Sequence, residues 1–281
     1  MTHHRIPSSA TVPLTATIGP FCVLGENVVL GENVVLGVGC VLGDGARVGT
    51  GSELGNYVSM GQGAEIGMQT RIGDHTTIYS QTILGEDGFI GSNSSIGRLP
   101  KASATSTVKA QVNLPPLRMG NGFTIGCSAV LYAGTEYADK AFVGDGAVVR
   151  ERCSIGQNVV IGSGVVVEND TKIGEFTKIQ TGSYITAYME IEERVFIAPM
   201  VTTTNDNYMG RTEKRFQAIK GPTIQRGARV GGGSILLPGV KVAPETFIAA
   251  GALVSKDTTE KRVVKGFPAK DLRAVPEEEL L

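Results

Sequence analysis

The sequence contains no tryptophan, and aromatic residues make up 6% of its 281 positions. A wide core filled with large rings is therefore excluded, and thin repeated layers of smaller side chains fit better. Lys and Arg number 26 against 27 Asp and Glu, so no net field recommends nucleic acid or an anionic membrane as a partner. No run approaches the roughly 20 apolar residues that span a bilayer, and the opening MTHHRIPSSATVP lacks the apolar stretch of a secretory leader. The expectation is a soluble, cytoplasmic chain. Its four cysteines include no CxxC pair, which removes the common zinc and redox signatures. Histidine is also scarce: His3 and His4 stand in a loose terminus, and His75 alone lies deeper in the chain. One histidine without a cysteine cluster does not make a zinc site, so no metal is expected.

Glycine, in contrast, is abundant at 38 residues, and it is periodic. Gly25 to Gly37 reads GENVVLGENVVLG. Stepping by six from Ile18 meets Leu24, Leu30, Leu36, Leu42, Val48, Leu54, Met60, Ile66, Ile72, Ile78, Leu84, Ile90 and Ile96, and glycine follows every one of these anchors except Ile78. Four residues after an anchor the side chain is small, as at Cys22, Val28, Ser52 and Thr76; three after it, Asn or Gly recurs, as at Asn27 and Gly45.

An anchor and the small residue two places before it point to the same side of an extended strand. Asn and Gly accept the positive φ of a sharp corner. Each hexad is thus a short strand plus a corner, and three hexads close a triangle of eighteen residues. A second register runs from Met119 to Ile197 and a third from Ile224 to Val254, giving about eleven coils of a triangular, all-β prism. An ordinary β-sandwich would place its turns every 8 to 12 residues instead.

The register predicts a lead-in over 1–17, a solenoid over 18–255 and a tail over 256–281. Two corner insertions interrupt it: 98–118, rich in Ser, Thr and Lys, and 202–223, with clustered basic residues. Loops of that length bind ligands or neighbours more often than they merely connect. The tail from Lys270 is expected to form a short helical cap over the open strand edge. Cys22, Cys40 and Cys153 fall in the inward small column and read as packing residues; Cys127 is expected to face solvent.

The pattern [LIV]-G-x-x-[small]-x resembles the hexapeptide-repeat acyltransferases, and that resemblance implies a left-handed parallel β-helix. Within Ile179 to Thr212, the stretches Thr181-Gly182, Tyr184-Ile185, Val195-Phe196-Ile197, Pro199 and Thr204-Asn205-Asp206 are similar to bacterial nucleotide-sugar N-acyltransferases. Tyr208 matches that family's tyrosine, while Met209-Gly210-Arg211 replaces its Pro-Arg. VVKGFPAKDLR near the end looks like the ending of acyl-CoA-dependent members, with Phe267 in place of Asn. Related γ-class carbonic anhydrases need three histidines for zinc, whereas here only His75 lies inside the solenoid.

The resemblance implies transfer of an acetyl or other short acyl group from acyl-CoA to the amine of a nucleotide-linked amino sugar, by a homotrimer. Tyr184, Asn205, Asp206, Tyr208 and Arg211 are the expected substrate contacts. Gly232 and Ala250 in glycine-rich corners, with Lys256, Arg262 and Lys265, are the expected contacts of CoA. Asp145 and His75, both expected to point outward, are the candidates for the base, although many relatives carry a histidine near the place of Asp145. Transfer to tetrahydrodipicolinate, O-acetylation of serine or a sugar, and a non-catalytic scaffold stay open as alternatives.

Overall fold

The structure, a computed structural model, describes residues 4–104, 113–211, 213–277 and 280–281. The insertion residues 105–112, His3, Thr212 and tail residues 278–279 lie outside the described set. Two compact units are present, Met1–Gly146 and Ala147–Leu281.

In Met1–Gly146, strands of two residues recur at the predicted period: Thr17–Ile18 in a first wall, Val23–Leu24 in a second, Val29–Leu30 in a third. The fourth strand returns to the first wall in parallel register, Thr17 opposite Val35 and Ile18 opposite Leu36. In each pair the first side chain faces out and the second fills the prism; Leu24, Leu30, Leu36 and Leu42 are all at most 2% exposed. The corners turn on a residue with positive φ, 56° at Asn27 and 67° at Gly39, where L side chains other than Asn are disfavoured. The small column packs against the next coil, and its polar members repeat one bond. Cys22 donates its S–H to the Gly37 carbonyl at 3.1 Å, Ser52 its hydroxyl to Gly67 at 2.8 Å, and Thr76 to Gly91 at 3.0 Å. A buried hydroxyl is tolerated there because its partner arrives once per turn. Burial also pushes the Cys40 thiol up to about 11, so it is an inert packing group.

Ala147–Leu281 runs the same cycle, with Val148–Val149 in the second wall, Ser154–Ile155 in the third and Val160–Ile161 in the first. Both long insertions leave from a corner between a second and a third wall, after Ser95–Arg98 in one unit and after Thr202–Thr203 in the other. Helix among the described residues is limited to Arg215–Ala218.

The solenoid is all-β and parallel, with about thirteen turns rather than eleven. Part of the difference is at the start, where Arg5 already bridges Val23 and Thr11 bridges Val29. The expected helical cap is a second departure. Arg262–Gly266 continues the first wall beside Phe247 and Ile248, then Ala269–Ala274 folds back on it as an antiparallel strand. Val263 and Val264 are buried, and Gly266 takes a φ of 100° ahead of Pro268. Glycine and proline at the turn favour reversal over helix, and the added strand covers the edge a helix would have left half-paired.

Candidate functional site

The expected substrate residues gather in Ala147–Leu281 around the second insertion. Asp206 knots that loop: its Oδ1 accepts the Tyr208 N–H at 2.8 Å, its Oδ2 accepts the Gly210 N–H at 2.9 Å, and Arg215 Nε lies 3.1 Å from Oδ2. The amides of Tyr208 and Gly210, with the Arg215 charge, hold the Asp206 carboxyl below its ordinary range. Asn205 ties the loop to the preceding coil by donating to the Ala187 carbonyl at 3.4 Å. Tyr208 and Arg211 are exposed. Tyr184 stands on the outer face of the second wall and donates its hydroxyl to Glu168 Oε1 at 3.3 Å. Burial first, then the Glu168 charge, pushes its phenol up.

Sequence reasoning missed the charged group beneath this loop. Arg150 meets Glu151 at 2.8 and 3.0 Å and Glu168 at 3.4 Å; one coil lies between Arg152 and Asp170, paired at 2.7 and 2.6 Å. Residues eighteen apart are one coil apart, so Arg150 with Glu168 and Arg152 with Asp170 carried a readable signal. It was also missed that the outer face of the first wall, around Phe176, Arg194, Phe196 and Arg229, forms a hollow of about 690 Å³.

The expected cofactor residues do not form one cluster. Gly232 and Ala250 are neighbours along the corner between the first and second walls, linked by the Gly251 N–H to the Gly232 carbonyl at 2.9 Å. Lys256 belongs to the corner between the second and third walls, and Arg262 and Lys265 to the terminal hairpin, where Arg262 lies 3.6 Å from Asp271. At some corners the amide at this position is capped by a side chain from the next coil, Glu26 N–H by Asp44, Asn56 N–H by Asp74 and Asn121 N–H by Asp139; at others, such as Ser163 and Thr181, it is not. The Gly232 and Ala250 amides have no partner among the described residues. One strand spacing, about 4.8 Å, separates them.

Asp145 and His75 belong to Met1–Gly146 and lie on one corner edge there, three coils or about 14 Å apart. Asp145 is one of the capping carboxylates, accepting the Cys127 N–H at 2.7 Å. His75 stacks on Tyr57, with ring centroids 5.2 Å apart and planes 9° from parallel. Cys127 is exposed, as expected. No group of three His, Cys, Asp or Glu among the described residues is arranged to hold a metal ion, and no helix among them is long and apolar enough to cross a membrane.

Residues 138–169 match the family model described as bacterial transferase hexapeptide (six repeats). A protein of Saccharomyces cerevisiae, provisionally named as an acetyltransferase, is 33% identical over 96 residues, 33% of this chain and 49% of that protein. A serine acetyltransferase of Buchnera aphidicola is 34% identical over 90 residues, 32% of this chain and 31% of that enzyme. Among solved structures, LpxA from Acinetobacter baumannii covers 95% of this chain and 72% of its own length, at 17% identity and a TM-score of 0.36. The chain spans about half the length of the yeast relative and under a third of the bacterial one. Within residues 138–169 the hexad matches the repeat that the hexapeptide-transferase model describes.

Proposed function

We propose that this chain is an acyltransferase that takes a short acyl group from acyl-CoA and gives it to the amine of a nucleotide-linked amino sugar. The observation that carries the reading is a pair of uncapped amides, Gly232 and Ala250, on an edge lined by small residues, Gly231-Gly232-Gly233 beside Ala249-Ala250-Gly251. The pantetheine arm of CoA is a narrow chain with two amide groups. Laid along a glycine-lined edge, it can offer a carbonyl to each uncapped N–H, and small residues let the arm approach the backbone. The names of the relatives support the reaction class; the substrate contacts of the second insertion support the acceptor.

In the reaction, the neutral amine nitrogen attacks the thioester carbonyl, the C–N bond forms, and the C–S bond breaks. The thiolate of CoA takes up a proton as the amine gives one to solvent or to a carboxylate. Glu168, 3.3 Å from the Tyr184 hydroxyl and 3.4 Å from Arg150, is a carboxylate beside one of the residues that the reading assigns to the sugar. Positioning of the two substrates provides most of the acceleration, with corner amides available to the developing oxyanion.

The active species is proposed to be a homotrimer. The outer face of the second wall in Ala147–Leu281 carries Val148, Val166, Tyr184, Thr202, Ile235 and Leu253, whereas the third wall carries Ser154, Lys172, Glu190, Thr223 and Lys241. An uncharged, largely apolar strip beside a charged one suits a buried subunit contact.

Replacement of Ala250 by proline tests the reading. Proline already occupies the same corner position at Pro199, so the fold accommodates it while the amide donor disappears. The expected result is an unchanged melting temperature and about a tenfold loss of CoA affinity, the worth of one hydrogen bond. An unchanged CoA affinity contradicts the assignment.

A further inference from the structure

The outer face of the first wall in Ala147–Leu281 alternates cation and ring. Lys178, Phe196, Arg229 and Phe247 follow one another coil by coil in register. On the adjoining corner the alternation repeats, with the Arg194 guanidinium carbon 4.8 Å from the centre of the Phe176 ring; that of Arg229 is 5.9 Å from the Phe247 ring. The corner column then breaks at Gly227, which is buried with a φ of 69°. A Cβ there would run into Glu245 Oε1 and stand 2.8 Å from Leu281 Cδ1. Gly227 and Leu281 line, with the rings and cations of this wall, a hollow of about 690 Å³, within the ordinary range of small-molecule sites.

Its charge balance differs from that of a solvated wall. The lining contains three cations, Lys178, Arg194 and Arg229, and no Asp or Glu side chain. The nearest carboxylates, Glu193 and Glu245, are engaged with Arg226 at 3.4 and 3.6 Å. Neither Lys178 nor Arg194 has an ion-pair partner among the described residues. Where this fold merely meets water, cations face carboxylates across coils, as Arg47 faces Glu65 and Arg71 faces Glu53. Here phenyl rings take the place of the carboxylates.

We infer that this groove binds the nucleoside diphosphate portion of a substrate, with the base against the phenylalanine faces and the phosphates on Arg194, Arg229 and Lys178. Ring faces receive a flat heterocycle, and guanidinium groups match phosphate oxygens in pairs. The inference rests on the acyl-transfer reading only in that both of its substrates, acyl-CoA and a nucleotide-linked sugar, carry such a portion.

Calorimetry on the full chain with UDP, dTDP, ADP and CoA tests it, comparing wild type with Arg194→Gln, Lys178→Gln and the control Arg47→Gln, which is outside the groove lining. Both groove variants should bind at least one of these ligands tenfold or more weakly, with unchanged melting temperatures, and the control should match wild type. Loss confined to UDP or dTDP assigns the groove to the sugar nucleotide, and loss confined to CoA and ADP assigns it to the acyl donor. Wild-type affinity in the groove variants, or no binding of any nucleotide by wild type, overturns the inference. Altered sedimentation of Arg194→Gln with nucleotide binding intact also overturns it and makes the wall a subunit contact. If no acyl transfer is found but Arg194-dependent binding persists, the groove stands and the reaction falls. If Arg194→Gln keeps both kcat and KM for every substrate, the reaction stands and the groove falls.

Discussion

The ring of Phe123 occupies the space that a side chain at Gly88 would take. The two residues hold the same inward corner position on successive coils, and a Cβ built on Gly88 overlaps the Phe123 ring. Phe123 is 1% exposed, in a column otherwise filled by Val34, Ser52, Thr70 and Ala141. Gly88→Ala should cost about 1–3 kcal/mol through overpacking, and Phe123→Ala about 3–5 kcal/mol through an unfilled cavity. In Gly88→Ala/Phe123→Ala the first cost should shrink, so the sum of single effects should exceed the measured double effect. Urea unfolding of the four proteins checks this; additive costs would mean the residues do not share one space.

Asp206 gives the second prediction. Its carboxyl is held below the ordinary aspartate value near 3.8 by the Tyr208 and Gly210 amides and by Arg215. A depressed native value means that the ionised form closes the knot. The stabilisation is complete above the unfolded value near 3.8 and is lost as pH falls through the lower native value. Limited proteolysis within 206–215 should therefore be flat from pH 7 to about 5 and rise below pH 3.8. Asp206→Ala should be cut several-fold faster at pH 7 and lose more activity than Cys127→Ala. Equal activities of these two variants would remove the loop from the reaction.

Asp145 separates a structural task from a chemical one. Its Oδ1 caps the Cys127 amide at 2.7 Å, and an asparagine oxygen can do the same, as Asn56 does for the Val38 amide at 2.9 Å. Asp145→Asn should keep both stability and kcat within about threefold, while Asp145→Ala should cost about 1 kcal/mol of stability. A hundredfold fall in kcat for Asp145→Asn, with stability intact, would restore it as the base.

Much of this molecule could be read from its sequence because one physical rule, strand plus corner, repeats every six residues. The inward anchors Leu24 to Leu42, the positive-φ corners at Asn27 and Gly39, and the packing roles of Cys22 and Cys40 follow from that rule alone. The terminal hairpin did not follow, because Lys270 to Arg273 belong to no hexad and their pairing depends on the edge that the last coil leaves open. The site was harder still. Tyr184 and Glu168 meet because coils stack, not because sixteen residues separate them. An outward residue such as Asp145 was correctly oriented in sequence terms, yet its engagement with Cys127 appears only when position i is compared with i+18. The groove depends on cations and rings that come side by side only when coils stack, as Phe196 and Arg229 do.

The most direct measurement is release of free thiol from acetyl-CoA in the presence of dTDP- and UDP-linked 3-amino and 4-amino sugars. The account predicts turnover with at least one of them, stoichiometric with an amide product, and about tenfold weaker use of CoA by Ala250→Pro. CoA that neither binds nor turns over with any amino sugar would contradict it and leave the solenoid a non-catalytic scaffold.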